Sequence, residues 1–258
     1  MTVKMFLRVI ELIEVFARER QPLALSELAR LMEMPVSSCL GLIRTMEARG
    51  YICETGRRQG YYLTGRLLAM AQTIAAHDPV LGRVRPALLE LRDTTRETVV
   101  LGKLRSDGLV IYLDVLDAPQ SIRYMVEAGV TREAWSNSLG RALLSTLEPQ
   151  ARRKALQEAR RMRLTEATRT SVTALSAEID RAVARGWFGN FGESVADLAG
   201  IAWPLRIGGQ AYAVSIAGPR YRIEPRTEEL AALLRAACHS MDDAEHAEHA
   251  ATVASQQP

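Results

Sequence analysis

The chain has 258 residues, 48% of them apolar and 24% charged, with a formal charge of +3. That length suits one large domain or two smaller ones, and the composition excludes wholesale disorder. No uncharged apolar run approaches the roughly 18 residues a membrane span requires, so no membrane partner is expected. The excess charge is local: residues 1–75 hold ten Lys or Arg against seven Glu, and the rest of the chain balances 23 against 23. A basic head is compatible with a polyanion partner. Cys39, Cys53 and Cys238 are too few and too scattered for a disulfide framework, which points to a reducing cytoplasm.

The N-terminal apolar segment is interrupted by Glu11 and Glu14, so it reads as an amphipathic helix rather than a secretory signal. Phe6, Ile10, Ile13 and Phe16 recur at helical spacing and form its expected buried stripe. Gln21-Pro22 ends this helix, and Ser26 stands as the N-cap of a short second one reaching Met32. Met34-Pro35 makes the turn into a third helix, which runs to about Arg49 with Leu40, Ile43 and Met46 inward and Gly50 as its stop. Residues 51–54 and 61–63 read as two short strands, joined by a tip that carries Arg57 and Arg58. Helix, helix, turn, helix and hairpin is the order of a winged helix-turn-helix. Its third helix suits the major groove, and cations on its wing suit phosphates.

Arg66–Ala76 is a further helix, and His77-Asp78-Pro79 interrupts the chain after it. A second helix follows at about 80–96. The remainder alternates strands and helices: hairpins around Ser106-Asp107-Gly108 and Gly208-Gly209, helices near 139–147, 149–162 and 174–185, and a last amphipathic helix from Pro225 to Met241. Hairpins with segregated helices imply an α+β domain built on an antiparallel sheet. The expected division is a winged helix-turn-helix over 1–65, a linker helix over 66–77, a ligand domain over 78–241, and a disordered tail over 242–258.

These stretches in this order resemble the IclR family of bacterial transcription regulators, almost to Met241. LSELARLMEMPVSSCLGLIRTMEARGYI and GYYLTGRLLAMA match its winged helix. SNSLGRALL (136–144), RGWFGNFGE (185–193), GIAWPL (200–205) and VSIAGP (214–219) match its GAF-like effector domain. The resemblance implies a cytoplasmic, ligand-responsive regulator with double-stranded operator DNA and a small-molecule effector as partners, assembled as a homodimer or a dimer of dimers. Ser37, Ser38 and Arg44 on the third helix, with Arg57 and Arg58 on the wing, are the expected DNA contacts. Residue-wise carry-over places Ser138, Leu139, Asn190, Leu198, Gly200, Ser215 and Ala217 around the effector. Hydroxyls, an amide and the amides of a helix start suit a small carboxylate. Val36 and Gly41 stand where the family usually carries a lysine and an arginine. This leaves open a second reading, a small-molecule binding or scaffold protein with degraded operator recognition.

No P-loop, dinucleotide fingerprint, GxSxG elbow or HExxH is present, so neither an enzyme nor a cofactor is expected. His246 and His249 have a spacing that metal ligands use, but a solvated tail explains them as well, and no metal is expected. Trp135, Trp187 and Trp203 read as core or interface aromatics.

Overall fold

A computed structural model describes residues 4–56 and 59–255, with side chains from 5 to 242 apart from 57 and 58. It divides into two compact units, one ending at Asp78 and one beginning at Pro79.

In the first unit α1 (Lys4–Glu19), α2 (Leu25–Leu31) and α3 (Val36–Ala48) precede the antiparallel pair β1 (Ile52–Gly56) and β2 (Gly60–Leu63), and α4 (Arg66–Ala76) follows. Leu23 bridges to Tyr61 and extends the hairpin by one backbone pair. The core gathers Leu12, Val15 and Phe16 of α1 with Leu28, Cys39, Leu42, Ile43 and Met46. The stripe expected on α1 is therefore displaced. Phe6 and Ile10 are exposed, because this small core closes around the C-terminal half of the helix, where Phe16 meets Tyr62 edge to face at 5.7 Å. On α3 Leu42 takes the inward place expected of Leu40, which is only half-buried. Helix α2 is capped by Ala24 rather than Ser26, and the Glu27 carboxylate accepts the Ala24 N–H at 3.0 Å. Gly50 does stop α3. It adopts φ +74°, which favours glycine, while the Tyr51 and Gly50 amides return to Met46 and Glu47.

The second unit contains α5 (Pro79–Thr95), β3 (Thr98–Leu104), β4 (Leu109–Leu116), β5 (Thr131–Glu133), α6 (Ser138–Ser145), α7 (Pro149–Glu158), α8 (Val172–Arg185), β6 (Phe188–Phe191), β7 (Leu198–Ile207), β8 (Gln210–Pro219), α9 (Arg220–Ile223) and α10 (Thr227–Ser255). The strands form an antiparallel sheet of order β5-β4-β3-β8-β7-β6, so this is the expected α+β architecture. Alternation along the strands separates two cores. Val99, Leu101, Val214 and Ile216 pack with Leu88 of α5 and Leu234 of α10, whereas Val100, Tyr112, Ala202 and Ala213 pack with Leu143 of α6 and Ile179 of α8. Trp135 and Trp187 are buried, and half-buried Trp203 packs against both cores.

Two expectations are corrected here. Helix α7 ends at Glu158 rather than near 162, because Arg161 turns its guanidinium onto the carbonyls of Ala159 and Thr170 and holds the chain extended. The tail expected to be disordered from Asp242 instead continues α10 to Ser255; it is rich in Ala and Glu, strong helix formers, and lacks Gly or Pro before Pro258. The side chains of His246 and His249 lie outside the described residues. No helix among the described residues is long and apolar enough to cross a membrane.

Candidate functional site

The sheet face beneath α6 carries a cavity of about 330 Å3. Its floor includes Gly200 and Ala217, set beside Asn190 by the strand register: Asn190 pairs with Gly200 and Gly200 with Ala217, whose other partner, the buried Thr98, lies outside the lining. A Cβ on Gly200 would stand 3.0 Å from Ser138 Oγ, so the missing side chain keeps space open above the floor. The Thr98 hydroxyl donates to the Tyr124 carbonyl at 2.8 Å, which brings Tyr124 to the cavity. One neighbouring wall depends on a bulge. The register steps from Leu101↔Asp114 to Gly102↔Tyr112, and the extra residue, Leu113, leaves Tyr112 facing the cavity. Burial and the adjacent Tyr124 hydroxyl push the Tyr112 phenol above its ordinary pKa, with Arg132 opposing, so Tyr112 stays neutral near neutral pH.

The opposite wall is the start of α6. Asn137 caps it, accepting the Gly140 N–H at 2.7 Å while its own Nδ2 donates to the Glu133 carbonyl at 2.7 Å. The first helix amides, those of Ser138 and Leu139, have no carbonyl one turn earlier within the helix and carry its positive dipole end. Gly140 is required where the helix presses on Ala134, because a Cβ there would collide with the Ala134 backbone. Asn137→Ala is expected to cost about 1–2 kcal/mol by loss of the cap, measurable as a lower urea midpoint for the second unit.

All seven residues carried over from the family, Ser138, Leu139, Asn190, Leu198, Gly200, Ser215 and Ala217, line this one cavity. Their side chains are not equivalent. Asn190 is fully engaged in bracing: Nδ2 donates to the Ser136 carbonyl at 2.5 Å and Ser194 Oγ at 3.2 Å, and Oδ1 accepts the Glu193 N–H at 3.0 Å. The hydroxyls of Ser138 and Ser215, both residues buried, have no hydrogen bond among the described residues. The lining residues that sequence reasoning missed include Tyr112, Tyr124, Arg132, Glu133, Leu164, Ser194 and Val195. Only the composition of strand β4 hinted at Tyr112; the others lie on irregular segments or on a three-residue edge strand.

Behind the wall, Glu193 is buried against Arg141, whose guanidinium grips both carboxylate oxygens at 2.9 and 2.6 Å and also donates to the carbonyls of Trp135 and Gly189. Arg169 reaches the same carboxylate from the solvent side.

In the first unit, Ser37, Ser38, Gly41, Arg44 and Thr45 are exposed along α3, at the spacing of one helix face, opposite the buried Cys39, Leu42, Ile43 and Met46. Ser37, Ser38 and Arg44 make no side-chain hydrogen bond among the described residues, whereas Thr45 Oγ1 donates to the Gly41 carbonyl at 2.8 Å. Val36 is exposed at the start of the helix. Arg57 and Arg58 lie outside the described residues. Burial raises the Cys39 thiol above its ordinary pKa, which disfavours a reactive thiolate there. No group of three or more potential metal ligands occurs among the described residues.

Residues 72–243 match the family model described as bacterial transcriptional regulator IclR C-terminal, and residues 7–55 match the IclR helix-turn-helix domain. The HTH-type transcriptional regulator KdgR of Escherichia coli is 26% identical over 243 residues, covering 93% of this chain and 92% of that protein. The Thermotoga maritima IclR crystal structure superposes with a TM-score of 0.79 at 19% identity, covering 94% of this chain and 98% of that one. An IclR homologue from Microbacterium hydrocarbonoxydans, crystallised with 4-hydroxybenzoate, superposes with a TM-score of 0.77 at 23% identity, covering 94% and 99%.

Proposed function

Because this chain belongs to the IclR family of transcriptional regulators, we propose that its effector is a small organic carboxylate held in the cavity beneath α6. The protein is a DNA-binding regulator with an effector-binding domain, not an enzyme. One observation carries the finer reading: the N-terminus of α6 and two unpartnered hydroxyls, on Ser138 and Ser215, converge on a cavity whose other neighbours include Leu139, Leu164, Val195, Leu198 and Ala217. An anion is favoured at a helix start, and an apolar body is favoured by the leucines and valine. Arg132 adds a cation, and the neutral Tyr112 phenol beside the Tyr124 hydroxyl a polar edge, for a second polar group. The Microbacterium homologue's ligand, 4-hydroxybenzoate, has this chemistry and is a suitable first ligand to try.

On the DNA side, Ser37, Ser38 and Arg44 are the groove-facing residues of α3, and Arg57 and Arg58 hold the backbone. Association into a homodimer or a dimer of dimers is supported by the apolar side chains left in solvent: Met5, Phe6, Leu7 and Ile10 on α1, and Leu68, Met70 and Ile74 on α4, which buries no residue of its own. A dimer reads half-sites about one DNA turn apart, or a multiple of it.

Gel shifts on the DNA upstream of its own gene, at several salt concentrations, test this reading. Arg44→Ala is expected to cost about 1–3 kcal/mol of discrimination against scrambled DNA. Arg57→Ala with Arg58→Ala is expected to weaken all sequences alike and to flatten the salt slope by about 0.9 per lost phosphate contact. Equal affinity of the intact protein for upstream and scrambled fragments would overturn operator recognition.

A further inference from the structure

We propose that the segment from Ala159 to Ser171 is the door of the effector cavity, and that Thr168 and Arg169 are the positioning residues that hold it shut on Glu193. This rests on the effector reading of the cavity and adds the route by which a ligand enters.

The segment joins α7 to α8 without regular structure. Among the described residues, Leu164 is its contribution to the cavity lining. Thr168 fixes that leucine from behind: its hydroxyl accepts the amides of Leu164 at 3.0 Å and Thr165 at 2.7 Å, and donates to the Glu193 carbonyl at 2.7 Å. A single hydroxyl, with both lone pairs and its proton in use, couples the strap to the turn between β6 and β7. Thr165 adds a bond to the Gly192 carbonyl at 2.6 Å, and the Arg169 guanidinium closes on the Glu193 carboxylate.

The far side of that turn is tied differently. Arg141 grips Glu193 from within α6, and Asn190 holds both the Glu193 amide and Ser194. The Arg141 side chain is 1% exposed and that of Arg169 is 41% exposed. Water therefore competes with the strap's charge contact but not with the one on the body. A fluctuation opens the seam between strap and turn and leaves the turn on the sheet. Leu164 on the strap and Val195 on the turn line the cavity from the two sides of this seam, and both are about half exposed. A ligand whose apolar end buries them binds the shut arrangement better than the open one, and such differential contact is what shifts the equilibrium.

The test uses the full chain without ligand. Ser215→Cys puts a thiol on the cavity floor in a Cys53→Ser background, since Cys39 and Cys238 are buried and Cys53 is exposed. The labelling rate with monobromobimane then reports access. Thr168→Val is expected to raise that rate about tenfold, the size of one or two lost hydrogen bonds. Arg169→Ala should raise it several-fold, and Thr168→Ser, which keeps the hydroxyl, should restore the parent rate. If Thr168→Val unfolds the unit, Arg169→Ala and Thr168→Ser carry the comparison. Equal rates in parent, Arg169→Ala and every folded Thr168 variant would overturn the door. The two readings fail separately: if no carboxylate binds, the labelling contrast survives. If acids bind while labelling ignores both positions, only the door is lost.

Discussion

Gly200→Val is expected to abolish carboxylate binding while leaving the fold and the DNA affinity in place. Gly200 sits in β7 between Asn190 of β6 and Ala217 of β8, with its φ outside the left-handed region, so the backbone accepts a side chain without strain. The space is what changes. The new Cβ would lie 3.0 Å from Ser138 Oγ and 3.7 Å from the Ala217 Cβ, and the two methyl groups beyond it would project into a cavity of about 330 Å3. The Ser138 hydroxyl must turn away, and the ligand loses both its room and a donor. Affinity for 4-hydroxybenzoate, or for whichever small acid a thermal-shift series selects, should fall at least about a hundredfold, which is about 2.7 kcal/mol. Overpacking itself costs about 1–3 kcal/mol, so the variant's own melting temperature is the reference from which the ligand shift is read. Gly200→Ala should lose part of the shift. An undiminished shift in Gly200→Val would place the effector elsewhere.

The largest effect on stability is expected from Arg141→Met. Arg141 is fully buried, bonds both oxygens of an equally buried Glu193, and closes the carbonyls of Trp135 and Gly189. Methionine fills comparable volume but leaves the carboxylate with the half-exposed Arg169 and orphans two buried acceptors. Removing one partner of such a pair costs about 3–5 kcal/mol, because the remaining charge stays out of water. Urea unfolding should show that loss in the transition of the second unit. Adding Glu193→Leu should return part of it, since the uncompensated charge is then gone, and the double-mutant cycle measures the coupling. A loss below about 1 kcal/mol for Arg141→Met would mean that water or Arg169 already satisfies Glu193.

Local elements were the most legible part of this chain. The third helix, its glycine stop, the hairpin behind it and the two hairpins around Ser106-Asp107-Gly108 and Gly208-Gly209 are written in spacing, glycine and proline, and the structure has them within a few residues. Burial was less legible. A stripe from Phe6 to Phe16 predicts that α1 is amphipathic but not how far the core extends along it. β5 is a three-residue edge strand, too short for any alternation to mark it.

The cavity divides in the same way. Its seven family-matched residues could be named from resemblance, because they lie in stretches whose order and spacing persist. Tyr112, Tyr124, Arg132 and Leu164 could not be named, since a bulge at Leu113, the Thr98 hydroxyl and an irregular strap decide whether they face the cavity.

The sequence by itself determined a basic helical head, an α+β rear unit and the family to which both belong, because periodicity, turn residues and motif order are properties of neighbouring positions along the chain. Tertiary structure alone decided that Arg141 meets Glu193 across 52 residues, that Asn190 braces a wall, and that Ser138 and Ser215 keep free hydroxyls over one floor. Those outcomes depend on strand register and on which buried polar groups find partners, and both are settled only when distant segments pack.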